Sequence, residues 1–206
     1  MKRELHKEEV RRRILLAARK LFKERGFQQT TIRQITKEAE VKIGTVYHFF
    51  KDKEDIFLNM VSGVTDRVIE KADAMTPEND IYLRFAQELR LHLEAILDDK
   101  RSAELYYITF TSERVSGEIM RKRRTRLKNL LLLLGEQLSE TEYTMRTLYV
   151  KGYLLSVAIE TLHNRPLNKI ETILTAVKIL LNSFEAPTVT IERISNLIQE
   201  SVMETV

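Results

Sequence analysis

Five side chains in one short stretch, Lys42, Thr45, Tyr47, His48 and Lys51, are of the types that read and hold nucleic acid. Lysine and threonine donate to base edges and phosphate oxygens, while tyrosine and histidine add a flat ring and a further donor. To act together they must sit on one outward helix, held in place by a second short helix and a tight turn. The flanking residues have that form. From Glu8 to Arg25, Val10, Ile14, Ala17, Ala18, Leu21 and Phe22 recur at three- and four-residue steps, the mark of one buried helical stripe, and Gly26 stands as its C′ residue. Thr30-Thr31 supplies an N-cap before Ile32, Ile35 and Ala39, a break falls at Glu40-Val41-Lys42, and Val46 and Phe50 form the inner face of a second short segment, Ile43 to Phe50. This is the layout of a helix-turn-helix module. Lys42, Thr45 and His48 would point to base edges, and Tyr47 and Lys51 to the backbone. Thr31 and Arg33 open the first short helix, where backbone N–H groups and a guanidinium suit a phosphate oxygen.

The rest of the composition supports such a module and excludes several alternatives. Gly 6 and Pro 3 in 206 residues leave little punctuation, and Ala, Leu, Glu, Lys and Arg abound, so the predicted fold is all-α with about nine to ten helices. A hydrophobic fraction of 43% beside 31% charged residues provides a core for one or two domains, at roughly 100–200 residues per domain. The net charge of +4 is uneven: residues 1–60 hold an excess of six cations, leaving the remainder at −2. A basic first third suits a polyanionic partner. With Cys 0 there are no disulfides, thiolate metal sites or cysteine nucleophiles. No apolar run reads as a leader or a membrane span, so a cytoplasmic protein is expected.

Beyond residue 50, Asp52 is placed to cap a connector helix with Asp55 in its first turn and a stripe of Ile56, Phe57, Met60, Val61, Val64, Val68 and Ile69. Ala74-Met75-Thr76-Pro77-Glu78 interrupts the pattern. Ile81, Phe85, Leu89, Leu93 and Ile96 mark the next helix, ending at Asp98-Asp99, and Ser102 to Val115 carries Tyr106, Tyr107 and Phe110. Ser116-Gly117 is expected to separate that stretch from a helix at 118–138, whose five leucines, Leu130 to Leu134, require burial on much of its circumference. Ser139 and Glu142 have capping-box spacing for a helix ending at Asn164-Arg165-Pro166, Asn168 and Glu171 start another, and a terminal amphipathic helix follows Pro187. Gly152 and Ser156, four apart on an apolar face, allow close approach of a second helix. With Tyr149, Ile159, Ile173, Val177 and Leu180 they form an expected dimer seam.

Catalytic readings find little support. Glu160 and His163 have the spacing of one metal-binding motif where a di-iron bundle needs two, and Glu88 with His92 is an isolated i,i+4 pair. No nucleophile elbow, phosphate-cradling glycine loop or zinc-protease motif occurs. The basic run Arg121 to Lys128 reads as a solvated helical face. No metal, cofactor or enzymatic activity is expected.

Residues 13–58, with Gly26-Phe27, Thr31, Ile35, Ala39, Val41, Gly44-Thr45, Tyr47, Phe50, Lys51 and the Lys53-Glu54 pair at matching positions, resemble the DNA-binding domain of TetR-family bacterial transcriptional regulators. The resemblance implies a DNA-binding domain at 1–52 and a helical effector-binding and dimerisation domain at 53–206. It further implies a homodimer on a palindromic double-stranded operator, released by a small molecule, with Thr45, Tyr47 and Lys51 as main DNA contacts and a repressor as the expected role. Three positions depart from the pattern: Glu40 replaces a usual turn glycine, Lys42 a frequent capping serine and Thr36 a small alanine. The helices that the family uses for its effector carry Tyr82, Phe85, Leu89, His92, Tyr106, Tyr107, Phe110 and Met120 here. Of these, Phe85, Leu89, His92, Tyr106 and Phe110 are the expected pocket, suited to an apolar or aromatic effector with His92 as its polar handle. The reading from another class is a helical protein–protein adaptor with a basic N-terminal surface.

Overall fold

The computed structural model describes residues 2–77 and 79–203, and among them every regular element is helical. Ten helices follow one another: α1 Lys2–Arg25, α2 Ile32–Glu38, α3 Ile43–Phe49, α4 Lys53–Ala74, α5 Ile81–Asp98, α6 Lys100–Thr111, α7 Glu113–Leu133, α8 Glu140–Leu162, α9 Lys169–Ser183 and α10 Thr188–Met203. They divide into two compact units, Met1–Thr65 and Asp66–Val206, so the division falls inside α4. Its first turns belong to the first unit because Ile56, Phe57 and Met60 are buried there, Phe57 lying 5.7 Å from Phe22 and 4.9 Å from Phe27 between ring centroids.

In the first unit, α1 supplies Ile14, Ala18, Leu21 and Phe22 to the core, and α2 and α3 add Ile35, Val46 and Phe50. Gly26 adopts φ 83 and ends α1. Thr31 caps α2 in a capping box with Gln34, and Asp52 accepts from the Asp55 N–H at 2.7 Å to start α4. The turn between α2 and α3 closes as a Schellman motif. The Val41 N–H reaches the Thr36 carbonyl at 3.0 Å, the Glu40 N–H reaches that of Lys37 at 3.2 Å, and Glu40 takes the left-handed C′ position with φ 53. Arg13 of α1 holds this turn, its Nη2 donating to the carbonyls of Ala39 at 2.6 Å and Glu40 at 3.0 Å.

In the second unit α5 is the centre. Packed by α6, α8, α9 and α10, it is covered on nearly all sides, with Leu89, Leu93 and Ile96 buried beside Gln87, Glu88, Arg90 and His92. Phe85 stacks on Phe184 at 4.8 Å, and α10 closes the unit with Ile194, Ile198 and Val202. Ser139 and Asn168 cap α8 and α9 as expected.

Three expectations are corrected. Helix α1 begins at Lys2 rather than Glu8, although its leading turns carry Leu5 to solvent. The break expected at Ser116-Gly117 lies at Ser112, whose side chain accepts from the Val115 N–H at 3.1 Å; Ser116 is buried within α7. A serine that closes one helix and caps the next ends the run, whereas a covered serine inside a packed helix does not. The leucine run is not covered all round: Leu130 and Leu131 are buried, Leu132 and Leu133 are 50% and 69% exposed, and the helix ends there. Glu78 of the expected interruption lies outside the described residues.

A left-handed conformation costs a residue with a Cβ roughly 1–2 kcal/mol, part of which glycine returns through unfolded-state entropy. Glu40→Gly is therefore expected to stabilise the first unit by about 0.5–1 kcal/mol. Urea unfolding monitored by amide exchange in α2 and α3 checks this, and a loss of stability would show that the glutamate side chain supports the turn.

Candidate nucleic-acid interface and buried polar cluster

The expected DNA-contact residues are displayed unequally. Lys42, Tyr47, His48 and Lys51 are exposed on or beside α3, and Arg33 is exposed on α2, whereas Thr45 is half-buried. Thr31 is exposed but occupied: its hydroxyl accepts from the Gln34 N–H at 3.2 Å, and its own N–H donates to the Gln34 side chain at 2.8 Å. The cap explains the residue without any phosphate. Lys42, where a serine would cap α3, makes no side-chain cap bond, so its ammonium is left for other use. Thr36 bonds back to the Arg33 carbonyl at 2.7 Å. The outer face of α3 also presents Ile43 and Gly44, and a Cβ on Gly44 would meet nothing within 4 Å.

Lys53 was not singled out for a role by sequence. A lysine in the first turn of a helix opposes the helix dipole, and that anomaly is the signal that it has other partners. Its Nζ donates to the carbonyls of Phe27 and Thr30, both at 2.9 Å, and stands 4.3 Å from the Phe27 ring centre. Burial lowers its pKa. Lys53 thereby fastens the α1–α2 loop to the start of α4, just after α3 in the chain.

In the second unit the expected pocket residues separate into two groups. Phe85 is engaged with Phe184 and Leu89 is buried, while His92, Tyr106 and Phe110 come together, with the Tyr106 and Phe110 rings 6.1 Å apart. His92 Nδ1 makes a short hydrogen bond with the Tyr106 hydroxyl, and its Nε2 receives Arg123 Nη2 at 2.5 Å. One turn along α5, Glu88 Oε1 accepts from Arg126 Nε at 2.7 Å, and Arg126 Nη2 continues to Asp73 of α4 at 2.7 Å. Both arginines come from the run expected to be a solvated face. Arg121 and Lys128 are paired outward with Glu118 and Glu140, but Arg123 and Arg126 turn inward. The sequence held the signal, because Ser116, Met120, Arg123, Leu127 and Leu130 fall on one three- and four-residue stripe.

Burial lowers the pKa of His92 well below its usual 6.5, the Arg123 charge acting in the same direction, and burial raises that of Glu88 against the pull of Arg126. The metal reading of Glu88 with His92 fails, since the carboxylate is held by Arg126 and both ring nitrogens are occupied. Among the described residues no group of three or more His, Cys, Asp or Glu side chains is placed to hold an ion.

The expected dimer seam is divided as well. Ile173, Val177 and Leu180 are buried in the unit's own core, because α9 turns that face to α5, and they present no surface to a second chain. Gly152 and Ser156 are exposed on α8 beside half-buried Tyr149 and Ile159, and Met145, Leu148 and, on α9, Ile179 are apolar and exposed. The Tyr149 hydroxyl is buried without a partner, and burial pushes its pKa up to about 12.

Residues 14–60, which contain the capped α2, the Schellman turn and α3, match the family model for bacterial regulatory proteins of the tetR family. That match covers the first unit of the chain and makes this unit similar to the tetR regulators. It is 48% identical over 59 residues to the HTH-type transcriptional regulator HbdR of Aromatoleum sp. (strain CIB), an alignment covering 29% of this chain and 26% of that protein. It is 31% identical over 103 residues to the HTH-type transcriptional repressor BepR of Brucella suis, covering 48% of this chain and 49% of that one. The chain spans less than two thirds of the length of the curated relatives it matches first. The structure of RolR in complex with resorcinol has a TM-score of 0.66 at 20% identity, covering 93% of this chain and 95% of its own, and that likeness shows the fold.

His92 supplies a test of the buried cluster. Its folded pKa lies below 6.5, so as pH falls below about 6.5 the unfolded chain takes up the proton first and stability is lost. The wild-type melting temperature should therefore fall between pH 7 and 5 relative to that of His92→Asn, which lacks the titrating group. The opposing contribution of Glu88 is common to both proteins. Parallel melting curves across that range would place His92 in solvent.

Proposed function

We propose that the chain is a homodimeric, ligand-responsive DNA-binding regulator acting as a repressor. The observation that carries the reading is the outer face of α3. Lys42, Tyr47 and His48 are exposed with Lys51 just beyond, on a helix that the capping box, the Schellman turn and Lys53 fix from behind. An exposed helical glycine costs about 0.5–1 kcal/mol relative to alanine. No neighbour in the unit requires Gly44, so an external surface approaching the backbone accounts for it. A duplex entering that face meets cations, a phenol and no carboxylate from α3 itself.

The C-terminal unit supports dimerisation through α8. Met145, Leu148, Gly152 and Ser156 form an exposed stripe, and a Cβ on Gly152 meets nothing within 4 Å. Two such stripes face to face make an isologous helical interface, and a C₂ pair of α3 helices reads half-sites roughly 34–36 Å apart. Helix α4 runs through both units of the chain. The Arg126–Asp73 bond and the Lys122–Asp66 ion pair join its second half to α7, so a ligand that repacks α7 bears on the helix leading from the DNA-binding unit. BepR, which the chain resembles, is named a transcriptional repressor, and RolR, which shares the fold, is solved with resorcinol bound; both support this reading.

With DNA selected from random sequence, Lys51→Ala and Tyr47→Ala are expected to weaken binding on every site, and Lys51→Ala to reduce the salt slope by about 1. Gly44→Ala should raise the stability of the first unit by about 0.5–1 kcal/mol while weakening DNA binding. A stabilised variant with undiminished affinity would remove α3 from the interface. Gly152→Arg should yield monomers in sedimentation and abolish cooperative occupation of a two-half-site duplex. If the chain stays dimeric, the seam lies elsewhere.

A further inference from the structure

We infer that the cluster of His92, Tyr106 and Arg123 is an anion-recognition site and that the effector is a carboxylate on an apolar body. The inference rests on the ligand-responsive reading above and names the chemistry of its ligand.

The hydrogen atoms of the cluster can be assigned from the residue types. A guanidinium only donates, so Arg123 Nη2 must give its hydrogen to His92 Nε2. A neutral imidazole carries one N–H, which then sits on Nδ1 and is donated to the Tyr106 oxygen. The phenolic hydrogen of Tyr106 consequently points to no acceptor given by the described residues. Arg123 Nε is shut off from solvent and likewise has no partner. Two strong donors on one imidazole therefore lack acceptors, and the imidazole lone pair is already used.

Charge leads to the same conclusion. Among the described residues Glu88 and Asp73 accept from Arg126, and Arg84 shares Asp73 at 3.9 Å, so neither carboxylate hydrogen-bonds Arg123. Burial lowers the pKa of Arg123, with Glu88 opposing from a distance. Arg123 is half-buried with its Nε shut off from solvent, and a cation so placed with only a neutral ring as partner is stabilised by an anion. The three residues also define what surrounds the anion. One helical turn to either side of His92 lie Leu89 and Ile96, of Arg123 Met120 and Leu127, and of Tyr106 Ala103 and Phe110; all six are buried and apolar. A carboxylate supplies acceptors for both orphan donors, and the apolar lining excludes a ligand charged along its length.

The test titrates the full chain with hexanoate through dodecanoate and with phenylacetate, each beside its primary amide and the corresponding amine, by calorimetry at pH 7.5. At least one acid should bind about 10–100-fold more tightly than its amide, the range for a hydrogen bond to a charged group. Arg123→Met should bring acid and amide to within about threefold of each other and should raise the melting temperature of the unliganded chain, because it removes a half-buried charge that no carboxylate pairs. Tyr106→Phe, which deletes one oxygen from an unchanged ring, should weaken the acid selectively, and it decides the matter if Arg123→Met does not fold. Amides or amines binding as well as acids, no acid binding, or a preference that survives Arg123→Met or Tyr106→Phe would each overturn the assignment. The same compounds added to the complex with selected DNA separate this result from the regulator reading. Release by neutral compounds alone removes the anion site and keeps the regulator, whereas selective acid binding by a chain that binds no DNA does the reverse.

Discussion

A helix enclosed on nearly every side obliges the fold to satisfy whatever polar groups it carries, because a buried charge without partners is not tolerated cheaply. α5 is that helix, and Gln87, Glu88, Arg90 and His92 are its polar groups. Arg90 is settled within α5, donating to Gln87 at 2.7 Å and to Glu94 at 2.6 Å. Glu88 and His92 are not, and their partners come from α7. That requirement fixes the rotation of α7, turns Arg123 and Arg126 inward and sends Arg121 and Lys128 to solvent. Through Asp73 it also determines which face of α4 is turned to α7.

Local signals were the most legible part of the sequence. Thr31, Asp52, Ser139 and Asn168 cap helices as read, because a capping side chain and its backbone target lie within three residues of one another. Position Glu40 was legible only as a departure, and the geometry supplies its meaning: the turn needs a left-handed residue, and glutamate occupies the place without glycine's freedom. The α6–α7 break was misread because Ser112 and Ser116-Gly117 are equivalent as sequence. Only the burial of Ser116 decides between them, and burial is a property of the assembled unit. The division of Ile173, Val177 and Leu180 from Gly152 and Ser156 was illegible for the same reason. Helices α8 and α9 carry apolar residues on more than one face, and periodicity alone does not tell an inner face from an oligomeric one.

On the proposed reading, recognition and stability oppose each other locally in the first unit. Lys42 occupies an N-cap without capping, Gly44 lies in a helix with nothing near it, and Ile43 and Tyr47 are left to solvent. Each choice weakens α3 taken alone, and the surrounding structure compensates with Phe22, Phe27 and Phe57, with the Arg13 clamp on the turn and with Lys53 beneath the loop. Departures from local preference gathered on one face, above a well-packed support, are what a surface shaped by an outside partner displays.

The orphan donors of Arg123 and Tyr106 also bear on how long the protein persists. A guanidinium whose Nε has no partner lowers the cost of opening α6 and α7, and a protease cuts in proportion to the population that is open. A molecule that completes the cluster closes those openings by mass action. On the proposed reading, ligand binding then slows turnover of the chain as well as changing its activity.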